Sequence, residues 1–185
     1  MLAYLQGLSL GLAYVAPIGV QNLFVINAGL SQPRAAAYRT ALIVIFFDVT
    51  LALAGFFGIG ALIEHSELIR KGVLLAGSLV VMYMGLRLML SREVAGPAIN
   101  VNIPLMKTIG MACVVTWFNP QAIIDVSLLL GSFRVALPPE ESGLFLWGVV
   151  CASCLWFLSL TTISSLFKNR FTPRLLRIIN LVCGL

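Results

Sequence analysis

Apolar residues in this chain gather into stretches long enough to cross a lipid bilayer, and that feature restricts its fold more than any other. Hydropathy marks spans at about Leu2 to Leu30, Tyr38 to Leu62, Leu68 to Leu90, Leu105 to Leu130 and Gly143 to Phe167, with a sixth from Leu175 onward. A helix rises ~1.5 Å per residue, so ~20 residues cover the ~30 Å of bilayer hydrocarbon. Lipid offers the backbone no hydrogen-bond partners, so such spans must be helical. Composition agrees: 60% of the 185 residues are hydrophobic, 10% are charged, and the mean hydropathy is +1.02. A soluble domain carries about a quarter charged residues. The predicted fold class is therefore all-α, a polytopic membrane helix bundle of about six transmembrane helices with no room for a folded domain outside the membrane.

The first stretch, Met1-Leu2-Ala3-Tyr4-Leu5 and onward, has no basic region ahead of it and outruns a signal peptide, so it reads as an uncleaved span. The last holds eleven residues, Leu175 to Leu185. That is too few to cross a bilayer, and the sixth span is expected to be truncated.

The net charge of +5 is scattered over connections rather than gathered into a patch, so it argues for membrane topology and against a nucleic-acid partner. Connections one, three and five hold nine of the twelve basic residues: Arg34, Arg39, Arg87, Arg92, Lys107, Lys168, Arg170, Arg174 and Arg177. Connections two and four hold Arg70, Lys71 and Arg134 beside Glu64, Glu67, Glu140 and Glu141. The positive-inside rule places the first group in the cytoplasm and both termini outside, so the N-terminus is expected to be periplasmic. The Gly-, Pro- and Asn-containing linker at 91–104 divides one transmembrane transporter domain (1–185) into a first repeat at about 1–90 and a second at 105–185. Three crossings reverse direction, so the second set would be inverted relative to the first.

Each repeat opens with an interrupted span. Span one carries Pro17, Gly19, Gln21 and Asn22 within Ala16-Pro17-Ile18-Gly19-Val20-Gln21-Asn22, and span four carries Asn119, Pro120 and Gln121 within Thr116-Trp117-Phe118-Asn119-Pro120-Gln121. Proline removes a backbone donor and glycine loosens the helix, so each break frees polar backbone groups that lipid does not tolerate. One such kink alone reads as packing. A pair in matching positions, each with amide side chains, points to a transporter's substrate site. Asp48 and Asp125 lie within spans two and four, where a carboxylate costs roughly 2.5 to 3.5 kcal/mol on insertion scales and so faces a partner or a cavity. Two carboxylates beside Gln21, Asn22, Asn119 and Gln121 suit a cationic small molecule, and they suggest cation export coupled to proton movement.

Small residues at Ala52, Ala54, Gly55, Gly58, Gly60 and Ala61 in span two, and Gly72, Gly77 and Gly85 in span three, permit close helix packing or a homodimer. Trp147, Trp156 and Phe157 suit interfacial anchors or lipid-facing bulk, with Trp156 placed to line a cavity, and His65 reads as a loop histidine. Cys113, Cys151, Cys154 and Cys183 all sit in apolar segments and read as packing residues, although Cys151 and Cys154 share a helix face. No nucleotide-binding loop, metalloprotease motif or nucleophile elbow is present, so neither an enzyme nor a cofactor is implied. Three alternatives stay open: a metal-ion exporter using Asp48 and Asp125 as oxygen ligands, a thiol carrier working through Cys151 and Cys154, and a non-transporting membrane subunit.

The stretch Pro17-Ile18-Gly19-Val20-Gln21-Asn22-Leu23-Phe24-Val25-Ile26-Asn27-Ala28-Gly29-Leu30 resembles the first-span signature of the LysE/ArgO basic amino-acid exporters. Phe47-Asp48, Thr116 to Gln121 followed by Asp125, and Arg177-Ile178-Ile179-Asn180-Leu181-Val182 are similar to that family in matching order, so the likeness covers essentially the whole chain. The resemblance implies a bacterial inner-membrane exporter of L-arginine or L-lysine, driven by the proton gradient or membrane potential. Its cationic amino-acid cargo would seek Asp48 and Asp125, and the cargo carboxylate would meet helix N-termini at the breaks. Related branches carry neutral amino acids or divalent metal ions on a similar plan, so the likeness alone does not assign cargo.

Overall fold

The computed structural model describes residues 1–17, 19–58, 71 and 104–168. Apart from Lys71 and Pro104, the expected third and sixth spans and the linker lie outside them. The described residues form six helices: α1 (Leu2–Val15), α2 (Val20–Ser31), α3 (Arg34–Phe56), α4 (Leu105–Trp117), α5 (Pro120–Ala136) and α6 (Ser142–Phe167). No strand occurs among them.

Helices α3 and α6, with 23 and 26 residues, are each long and apolar enough to cross a membrane alone; at the usual rise they reach ~35 and ~39 Å. The other four pair into bent spans. Helices α1 and α2 meet at 80°, and α4 meets α5 at 60°. With each half of the first pair tilted equally, the bent span covers ~30 Å, the thickness of the hydrocarbon. Both expected interruptions are thus real breaks in the helix. Helix α3 ends at Phe56, and the expected end of span two at Leu62 lies outside the described residues. Gly58 adopts φ +101° and its N–H bonds the Gly55 carbonyl, a left-handed ending that closes the helix.

Packing contacts give the relative direction of each crossing. Going along span one, Tyr4 and Gly7 meet Gly148 and Phe145, Gly11 meets Val149 and Ala152, Asn22 meets Trp156, and Gly29 meets Thr161 and Ser164. Spans one and five therefore run parallel over their length. Spans two and four are parallel as well, since Thr50 meets Trp117 and Gly55 meets Val126. Helix α3 runs against α6, with Tyr38 on Thr162, Asp48 on Ser153 and Phe56 on Phe145. This is the alternation required of a chain that threads a bilayer repeatedly.

The bundle interior is apolar at its α5–α6 end, where Phe133, Phe145 and Phe56 stack in sequence and the Arg134 guanidinium lies 5.7 Å from the Phe56 ring centre. Large exposed side chains such as Leu42, Phe46, Leu155 and Ile163 face outward, as a lipid-embedded surface requires. Trp147 is exposed near the start of α6, whereas Phe157 is buried. Gly55 makes the close approach that span two's small residues suggest, against Val126.

The tightest approach lies instead between α1 and α6. A Cβ on Gly148 would collide with the Tyr4 carbonyl, and one on Gly7 with the Phe145 carbonyl, so backbone touches backbone. Gly148→Ala is expected to destabilise the bundle by about 1 to 3 kcal/mol, the usual range for overpacking. Gly143→Ala, on the same helix with nothing within 4 Å of its added methyl, is expected to be neutral. Thermal unfolding in detergent distinguishes the two.

Candidate functional site

Breaking α1 at Val15 strands carbonyl groups at its end, in a setting where water is scarce. Asn22, in the first turn of α2 and 4% exposed, folds back to serve them. Its Nδ2 donates to the carbonyl of Val15 at 2.9 Å and of Pro17 at 2.7 Å. Its Oδ1 accepts from the indole Nε1 of Trp156 on α6 at 2.9 Å. Both amide hydrogens and the amide oxygen are engaged, so Asn22 acts as a bracket joining α1, α2 and α6. Gly19 caps α2 with extended backbone, and a Cβ there would meet nothing within 4 Å. Pro17 is exposed beside it.

The bracket sets the position of the preceding residue, Gln21, whose Nε2 donates to Asp48 Oδ1 at 3.2 Å. Asp48 lies in the middle of α3 and is 2% exposed. Its Oδ2 accepts from the Tyr14 hydroxyl at 2.7 Å and the Ser153 hydroxyl at 2.6 Å. Four helices thus meet at one carboxylate: Tyr14 ends α1, Gln21 starts α2, Asp48 is on α3 and Ser153 is on α6. Every hydrogen bond given to Asp48 by the described residues comes from a neutral group. Such donors supply local dipoles for a carboxylate but no balancing charge.

Sequence reasoning selected Asp48, Gln21 and Asn22, and the structure brings them together. Tyr14 and Ser153 escaped it. A serine in an apolar segment carries no distinguishing mark, and only the fold brings it to a carboxylate more than a hundred residues away. Trp156, expected to line a cavity, is half-buried and holds the bracket.

Around the second break, Asn119 accepts the first α5 hydrogen bond, from Ile123 at 3.1 Å, and Pro120 opens the helix where its missing N–H costs nothing. The side chains of Pro120 and Gln121 lie outside the described residues. Asn119 and Asp125 are half-buried. Asp125 adjoins Val126, which packs on Gly55, seven residues past Asp48 and so ~10 Å along α3. The two aspartates occupy different levels of the bundle. Trp117 Nε1 donates to Thr50 Oγ1 at 3.2 Å and ties the second break to α3. The buried Thr116 hydroxyl has no hydrogen-bond partner among the described residues. The described cysteines, Cys113, Cys151 and Cys154, are free thiols.

Residues 12–185 match the family of LysE type translocators. The chain is 33% identical to the "Arginine exporter protein ArgO" of Shigella flexneri over 192 residues, covering 98% of this chain and 87% of that relative. It is 31% identical to the protein of the same name from Pectobacterium atrosepticum over 187 residues, covering 98% and 91%. No solved structure matches.

If Asn22 and Trp156 act as one bracket, their removal should not be additive. Trp156→Phe, which deletes the indole N–H, is expected to cost roughly 0.6 to 1.7 kcal/mol, from the average to the largest value for hydrogen bonds between membrane helices. The double variant with Asn22→Ala should cost less than the sum of the two single changes. Unfolding of the four proteins in detergent closes the cycle.

Proposed function

The chain belongs to the LysE type translocator family, which makes it a membrane transporter and not an enzyme, and from that premise we propose that it exports L-arginine, with L-lysine as a second cargo, across a bacterial inner membrane. The observation that carries this reading is Asp48: a buried carboxylate, inside a span and beside a broken helix, whose hydrogen-bond donors among the described residues are all neutral. A cationic amino acid supplies the missing charge. Relatives bearing the name of an arginine exporter, matched over nearly their whole length, support the same cargo.

The geometry suggests how exchange works. In the conformation described, the Tyr14 and Ser153 hydroxyls occupy Asp48 Oδ2 and close the site. Cargo entering from the cytoplasm replaces them with an ammonium or guanidinium group, whose charge-assisted bonds to a carboxylate are about twice as strong as neutral ones. The first turn of α2 has N–H groups free of intrahelical partners, and its positive end suits the cargo carboxylate. Asp125 and the second break, on another level of the bundle, would receive cargo on the way out.

Energetics favour coupling to protons. Moving one positive charge outward against an inside-negative potential costs about 2.3 kcal/mol per 100 mV. If the returning Asp48 carries a proton inward, the cycle moves no net charge. One carboxylate that binds either a proton or the cargo, never both, would provide that coupling. The basic residues of connections one, three and five support an N-terminus outside, and the parallel packing of spans one and five fits two repeats of opposite orientation.

Labelled arginine trapped in liposomes containing the protein tests the reading. Wild type is expected to release the label when a proton gradient is imposed, and Asp48→Asn to fall to the level of protein-free liposomes while retaining its melting temperature. Efflux by Asp48→Asn at the wild-type rate would overturn the assignment of Asp48.

A further inference from the structure

The opposite end of α2 holds a second polar cluster. Gln32 N–H bonds the Ala28 carbonyl at 2.9 Å, and the next residue, Pro33, has no N–H to offer Gly29. The helix therefore ends with its carbonyls pointing onward and a negative pole that suits a cation. Gln32 is 6% exposed, and its side-chain oxygen accepts from Thr40 at 3.2 Å. Its backbone carbonyl accepts a hydrogen bond of 2.9 Å from the Lys168 ammonium, which reaches back from the end of α6. One turn before Lys168, the Ser165 hydroxyl is buried with no hydrogen-bond partner among the described residues. From this cluster a seam runs between α2 and α6 towards Asp48, with Gly29 against Thr161 and Ser164 and then Asn22 against Trp156.

We propose that the Gln32 carbonyl and the Ser165 hydroxyl form a second cation site, which receives the side chain of a basic amino acid before it reaches Asp48, and that Lys168 is a tethered occupant displaced by the cargo. The proposal rests on the exporter reading above. A lysine near a helix end is commonly no more than a cap for its carbonyls. Here the cap has the chemistry of the cargo, an alkylammonium, and one turn earlier on the same helix a buried hydroxyl has no hydrogen-bond partner among the described residues. A guanidinium is planar and carries five N–H donors, so it can engage both the carbonyl and the hydroxyl, whereas the Lys168 ammonium takes only the carbonyl. Arginine is therefore equipped to displace the plug. The tether holds Lys168 at an effective concentration on the order of millimolar, high enough to compete with cargo and to close the site when cargo is scarce.

Inside-out membrane vesicles, which present the cytoplasmic face to the medium, test this through the concentration dependence of labelled arginine uptake. Removing the competitor with Lys168→Met should lower the KM about tenfold. Strengthening it with Lys168→Arg should raise the KM several-fold. Ser165→Ala, with Lys168 intact, should raise the KM for arginine more than that for lysine, and it remains informative if the Lys168 variants fail to accumulate. A simple cap predicts a different pattern, in which Arg is neutral and Met lowers stability without changing the KM. Any order of KM other than Met below wild type below Arg, or an unchanged arginine-to-lysine ratio in Ser165→Ala, overturns the second site. In that case uptake by wild type and its loss in Asp48→Asn would still uphold the exporter. If wild type moves no basic amino acid, both readings fall.

Discussion

The structure depends on satisfying backbone groups where no water can do so. A transmembrane helix ordinarily meets this demand within itself, and the break between α1 and α2 suspends the solution for four residues. The Asn22 amide restores it by taking the Val15 and Pro17 carbonyls, and Trp156 holds the amide in place. The repair has a structural consequence. Two half-helices meeting at 80° become fixed to each other and to α6, so the ends of α1 and α2 are held beside a third span. Tyr14 and Gln21, the residues flanking the break, can then reach the same carboxylate on α3.

That carboxylate is the second costly group in the bundle, and it is handled differently. The stranded carbonyls are neutral, and the Asn22 amide serves two of them. Among the described residues Asp48 receives three neutral donors, which satisfy its hydrogen-bonding capacity in part and supply no balancing charge. A built-in arginine would bind the carboxylate permanently. Neutral hydroxyls can yield to a cation, because each keeps another partner within reach: Ser153 has the Val149 carbonyl at 3.3 Å, and the Tyr14 hydroxyl lies 3.4 Å from Ser153.

Much of this plan was legible in the sequence. Apolar stretches of the right length marked the four spans that fall within the described residues, and Pro17-Ile18-Gly19 and Asn119-Pro120 located both breaks, because proline and glycine act through local backbone geometry. Asp48 was conspicuous for being charged among apolar neighbours. Ser153 and Tyr14 were invisible for the opposite reason, since a hydroxyl is at home in a span and its role depends on tertiary contact. Gly7 and Gly11 had a signal that went unread. Their spacing of four residues places two small residues on one face of α1, the pattern that lets membrane helices approach backbone to backbone. Attention to span two's glycines found Gly55 but missed the tighter α1–α6 seam. Asn22 shows the limit of residue-type reasoning: an amide beside a break can face cargo or backbone, and its sequence neighbours do not decide between them.

A broken span also explains why so short a helix can serve transport. The 12 residues of α2 give ~18 Å between its ends, so its positive pole falls within the bundle while its negative pole stays at the end of the span. The positive end lies beside Asp48, and the negative end lies at Gln32 against Lys168. On the proposed route, a zwitterion with a cationic side chain would meet the poles of α2 in turn as it advances. An unbroken helix would hold its poles ~30 Å apart or more, at the headgroups, where water screens them. Breaking the span brings the positive pole of α2 inside the membrane, where the low dielectric strengthens its interaction with charge.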